Sequence, residues 1–145
     1  MAWIYDALDE VKTQLEAITT APDVVAIVPK GHERRSIPAG KTFWVTLNPE
    51  SDGEVPEPGA AYVASYTIAV NVWIKNNGKD ETIVSTQSTK IKAVRDKLRY
   101  NDLDGFGRVE LLGDRFEGGE YIDGEDSESV YGYRFLITVP KQYTS

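Results

Sequence analysis

Residues 61–75 constrain the fold more than any other stretch of this chain. Tyr62, Ala64, Tyr66, Ile68, Val70, Val72 and Ile74 alternate with Val63, Ser65, Thr67, Ala69, Asn71, Trp73 and Lys75. A period of two places one set on each face of a β-strand. At about 3.3 Å per residue the run reaches roughly 45–50 Å. That exceeds what a small domain needs, so either a bulge breaks it or its first half projects as part of an arm. A second alternation, Tyr131, Tyr133, Phe135, Ile137 and Val139, predicts the last strand, closed by Pro140.

The other segments fit around these two strands. Ile4, Leu8, Val11, Leu15 and Ile18 step by three and four, which predicts an amphipathic helix over 2–19, stopped by Pro22. The apolar run 24–28 predicts a short strand ended by Pro29 and Gly31, and 43–47 predicts another. Residues 48–60 carry Pro49, Gly53, Pro56, Pro58 and Gly59, which reads as a long loop or extended arm. After the turn at Asn76-Asn77-Gly78, Asp80 caps a helix over 81–99 with Val84, Ile91, Val94 and Leu98 on its buried face. Lys90, Lys92, Arg95, Lys97 and Arg99 make the rest of that helix basic. Residues 109–116 predict a strand, and 117–128 a Gly-rich acidic turn. The βαβ rhythm of a doubly wound parallel sheet is missing. The expected fold is a single α+β domain over residues 1–145. It has an antiparallel or mixed sheet, two helices on one face and a long loop or arm.

Charge narrows the function. The chain holds 16 Lys and Arg against 23 Asp and Glu, a net of −7. Phosphate affinity is mostly cationic, so a free-standing nucleic-acid binder is disfavoured. The aromatic residues Tyr62, Tyr66, Tyr131, Tyr133 and Phe135 do suggest a base-stacking sheet, but such sheets need a basic border. Residues 101–130 hold ten acids and two bases, a net of −8, whereas residues 29–41 hold four bases and one acid, a net of +3.

Catalytic signatures are sparse. With no Cys and one His, thiolate, iron–sulfur and multi-histidine sites are excluded. His32 lies in a polar loop with no nucleophile elbow to serve, and Gly118-Gly119 lacks the Lys of a phosphate-binding loop. Asp123, Glu125, Asp126 and Glu128 offer oxygen ligands without the spacing of a calcium loop. Trp3, Trp44 and Trp73 sit among apolar neighbours and read as packing residues. The expectation is a non-enzymatic protein with no cofactor and no metal. No apolar run is long enough for a membrane span, and the first residues do not form a secretory signal, so neither membrane nor export is expected.

The element order carries a resemblance. An N-terminal amphipathic helix leads into a short apolar strand and a polar loop with prolines. The long alternating strand from Tyr62 to Ile74 runs into the basic helix from Thr82 to Arg99. Two strands close the chain, the last reading Tyr133-Arg134-Phe135-Leu136-Ile137-Thr138-Val139. Over nearly its whole length the chain resembles the tail terminator (tail-completion, or tail-to-head joining) proteins of long-tailed bacteriophages. The resemblance rests on length, order and texture. The family has no catalytic residues to carry over. It implies a homo-oligomeric ring, typically a hexamer, that caps the tail tube, stops its growth and meets the head–tail connector protein. DNA passes through the lumen without sequence-specific binding. It also implies a location in the virion tail or neck, after assembly in the cytoplasm of a bacterial host. The alternatives are a neighbouring neck or connector protein of the same virion, and a non-viral binding or adaptor domain.

Three features agree with a ring. Heterologous contacts need two complementary patches on each subunit, and the basic and acidic segments form such a pair. The expected interface residues are Lys30, His32, Arg34, Arg35 and Lys41 on one side. On the other they are Glu117, Glu120, Asp123, Glu125, Asp126 and Glu128. An acidic lumen would repel phosphate and let DNA slide. A long strand and a Pro/Gly-rich arm give a small domain reach, and an exposed strand edge can accept a partner's strand.

Overall fold

In the computed structural model, residues 4–32, 41–51, 65–75, 79–99, 102–103, 107–108, 110–121 and 129–140 are described. Two helices, α1 (Ile4–Glu16) and α2 (Asp80–Leu98), accompany a five-stranded sheet. Its strands are β1 (Val24–Ile27), β2 (Phe43–Ser51), β3 (Ser65–Lys75), β6 (Glu110–Tyr121) and β7 (Ser129–Pro140), ordered β1-β2-β3-β7-β6. β4 (Asp102–Leu103) and β5 (Gly107–Arg108) form a separate two-residue antiparallel pair. β1 runs parallel to β2, and every other neighbour in the large sheet is antiparallel. The sheet is therefore mixed, and the domain is α+β.

Strand alternation decides the core. Tyr66, Ile68, Val70, Val72 and Ile74 from β3 join Phe43, Val45 and Leu47 from β2 and Tyr133, Phe135, Ile137 and Val139 from β7 in one buried cluster. Ala7, Leu8, Val11 and Leu15 of α1 and Ile91, Val94 and Leu98 of α2 complete it, so both helices cover the same face. Tyr66, Tyr133 and Phe135 are thus core residues, and their rings are not offered for base stacking.

Several predicted boundaries move, each for a physical reason. α1 ends at Glu16, before Thr19-Thr20 and Pro22, and leaves Ile18 half-buried beyond it. In α2 the buried stripe is Ile83, Gln87, Ile91, Val94 and Leu98, while Val84 lies off it and is 60% exposed. Lys79 is the N-cap, without a side-chain cap, and Asp80 sits in the first turn, where its charge suits the helix dipole. β2 does not stop at Leu47. It pairs with β3 through Ser51, with a bulge between Pro49 and Ser51. Proline removes one ladder donor. Here that loss falls past the last β1 partner, because β1 ends opposite Leu47. The expected 48–60 loop is therefore strand through Ser51, and 52–60 lies outside the described residues, as do 61–64 of the long alternation. The 117–128 turn is shortened in the same way. β6 continues to Tyr121 with an irregularity between Glu117 and Glu120, where Gly118-Gly119 accommodates a bulge.

Candidate functional site

On the face of the sheet without helices the centre, on β2 and β3, is also buried, and its chemistry differs. Trp44 and Trp73 are register partners, 4% and 6% exposed, with Val24 packed against them. Beside the tryptophans, Thr46, Asn48 and Asn71 are buried polar residues. A buried polar group is costly unless it is hydrogen-bonded, and these are bonded to one another. The Asn71 amide donates to the Thr46 carbonyl at 3.1 Å and to Asn48 Oδ1 at 2.8 Å. The Trp73 indole N–H donates to Thr46 Oγ1 at 3.2 Å.

The network leads to Glu50. Asn48 Nδ2 donates to Glu50 Oε1 at 2.8 Å, and the Arg134 guanidinium bonds the same oxygen. Lys30 Nζ lies 3.1 Å from the other oxygen, Oε2. Arg134 stands opposite Asn71 on β7, so it crosses β3 to reach β2. Small, fully buried Ala69 lies between Asn48 and Leu136 two register rows along, on the same face. Burial works to raise the Glu50 pKa. The hydrogen bonds from Asn48 and Lys30 and the charges of Arg134 and Lys30 outweigh it and hold the carboxyl below its ordinary value.

A second carboxylate ties β1 to β2. Asp23 Oδ2 accepts the backbone N–H groups of Thr42 at 3.0 Å and Phe43 at 3.2 Å. The Thr42 bond lowers the Asp23 pKa most. Desolvation opposes it, and the Phe43 bond and the Lys41 and Lys90 charges add to it. Across the core, Arg95 donates to the Tyr133 hydroxyl at 2.8 Å and stacks over Tyr133 and Phe135. Lys90 sits 5.1 Å over the Phe43 ring. Part of the basic character of α2 is therefore spent on its own sheet.

The described members of the expected interface set divide between the β1–β2 side of the sheet and β6. Lys30, His32 and Lys41 are exposed beside β1 and β2. Lys30 is the one held by Glu50, and the His32 N–H closes a turn onto the Pro29 carbonyl at 3.0 Å. Glu117 and Glu120 are strand positions on β6, opposite Gly132 and Val130. They correct the expectation of a turn. Arg34, Arg35, Asp123, Glu125, Asp126 and Glu128 lie outside the described residues. β2, β3 and β7 separate β1 from β6 in the strand order.

The Glu50 centre was missed because Glu50 stands among loop-forming residues and Arg134 inside an apolar strand. The one available signal was a lone cation in the clean alternation of 131–139. No group of three or more His, Cys, Asp or Glu among the described residues is placed to hold a metal ion. No helix among the described residues is long and apolar enough to cross a membrane.

No family model matches this chain, and no curated protein matches it. Solved structures do match. One, from the virion of a native gene transfer agent particle, is 19% identical and has a TM-score of 0.50, over 92% of this chain and 94% of that one. A second solved chain is 13% identical over 94% of this chain and 92% of its own, with a TM-score of 0.48. At such identity the first likeness is one of fold, and it extends over most of both chains.

Proposed function

We propose that this chain is a structural component of a phage-like virion and, within that class, a tail terminator. The carrying observation is the fold shared with a chain of a gene transfer agent virion over nearly the full length of both. The role is one of assembly, without catalysis. Copies close into a ring, six being the expected number, that caps the tail tube and stops its polymerisation. The ring presents its other surface to the head–tail connector and lets DNA pass through the lumen.

Two features of the chain support this reading. The described residues of the two charged segments belong to different parts of the sheet, the basic ones beside β1 and β2 and the acidic ones on β6, which suits the head-to-tail contact a ring requires. Asp23 and Glu50 are tied to backbone and side chains of the same chain, so these two carboxylates are spent on holding the sheet together.

Light scattering over a wide concentration range, with negative-stain imaging of the same sample and a tube-capping assay, tests the proposal. One copy is 16.1 kDa, so a six-fold ring weighs about 97 kDa. A ring with a central hole, or arrest of tube growth, is the expected result. A single copy at every concentration that also fails to cap tubes overturns it. Arg34→Glu combined with Arg35→Glu is expected to weaken association while the circular dichroism of the folded subunit is kept. Unchanged sedimentation would sink the charge pairing.

A further inference from the structure

We infer that copies of this chain join edge to edge, β1 of one copy against β6 of the next, so that the sheet continues from subunit to subunit. The inference rests on the ring reading and names the surfaces that would make the ring.

The backbone supplies the first argument. The Val28 N–H donates to the Leu47 carbonyl at 2.8 Å. Backbone groups alternate in direction along a strand, so the N–H and C=O of Val25 and Ile27 point away from β2. No described strand meets them. β1 also lacks the usual protection of an edge: Val24-Val25-Ala26-Ile27 has no charge, proline or bulge. Its protection is its length of four residues.

The opposite edge matches that length. The β6 irregularities fall between Leu111 and Gly113 and between Glu117 and Glu120, so its regular stretch is Gly113–Glu117. Four register rows cross the whole sheet. They start at Val24, Val25, Ala26 and Ile27 and end at Glu117, Phe116, Arg115 and Asp114. The regular part of each edge therefore lies on the same rows. β1 and β6 run in opposite directions within a copy, so a neighbour related by rotation about a ring axis presents β6 antiparallel to β1.

Charge favours a second copy of this chain as the occupant. β6 carries Glu110, Asp114, Glu117 and Glu120 against Arg115. Uncharged β1 has Lys30 after it, exposed although it also reaches Glu50, and exposed Lys41 near its start beside Asp23. Two different edges make a heterologous contact, which closes into a ring when the rotation allows.

Engineered cysteines test this directly, because the chain has none of its own. Ala26 and Arg115 end one row, and four strand spacings separate their strands, about 19 Å. A disulfide needs Cα atoms within roughly 7 Å, so Ala26→Cys with Arg115→Cys can bridge only between copies. Ala26→Cys paired with Gly113→Cys or with Glu117→Cys covers a register shifted by two. Oxidation of assembled protein should convert most of the chain into covalent multimers for at least one pair, and the Ala26→Cys variant alone should not give ladders beyond a dimer. Rings that form normally while no pair crosslinks would overturn the edge pairing and leave the ring reading standing. Monomers at every concentration, unable to cap tubes and uncrosslinked, would overturn both.

Discussion

The two faces of the sheet bury comparable side chains by different means. On the helix-covered face, Phe135, Ile68, Val70 and Ile137 are fully buried among apolar neighbours. On the other face, Thr46, Asn48 and Asn71 are as deeply buried, but hydrogen bonds running to Glu50 and Arg134 satisfy them. Burial alone does not tell a core from a network. The first face resists through volume, since losing atoms leaves a cavity. The second resists through pairing, since losing one partner strands another.

Three experiments sharpen this contrast, from the largest expected effect to the smallest. Phe135→Ala removes a fully buried ring from the helix-covered face and should cost about 3–5 kcal/mol in urea unfolding. Glu50→Ala should cost about 3 kcal/mol, because it leaves Arg134 half-buried without its carboxylate. The decisive comparison is the double variant Glu50→Leu with Arg134→Met. If pairing governs this face, the double should be less destabilised than Glu50→Ala. A double as damaged as the sum of the singles would mean that volume governs both faces.

The smallest effect is on pH. Asp23 and Glu50 both have pKa values below their ordinary ones in the folded chain. Their contribution to stability is therefore complete above the unfolded carboxylate range near pH 4 and is lost as pH falls through the lower folded values. Melting temperature should drop between about pH 5 and pH 3, and Asp23→Asn with Glu50→Gln should flatten that drop. Asp23 is exposed, so most of the flattening should come from Glu50. An unaltered pH profile in the double variant would remove both carboxylates from the stability argument.

The helix-covered face was legible because its signal is periodic. Steps of three and four in Leu8, Val11 and Leu15, and steps of two from Tyr66 to Ile74 and from Tyr133 to Val139, define apolar stripes before any contact is known. Helix α2 was legible in extent but not in phase. Its buried stripe includes Gln87, and its apolar pattern is so thin that Val84, expected on the buried face, lies off it. The ends of β2 and β6 were hidden by Pro49 and Gly118-Gly119. These residues break an isolated strand but are absorbed where a neighbour is missing or a bulge forms.

Of the candidate interface, the sequence disclosed that one segment is basic and another acidic. That Lys30 is held by Glu50, and that the described members of the two sets lie at different parts of one sheet, came from the tertiary arrangement. By itself, then, the sequence determined the two helices and the five strands of the large sheet, though not their exact ends, together with the α+β class and most of the apolar core, because local periodicity encodes each of these. Only the tertiary structure decided the strand order, the parallel placement of β1 and the Glu50–Arg134 contact across 84 residues. Such choices depend on which distant strands pair, and no local pattern of residue types specifies the partner.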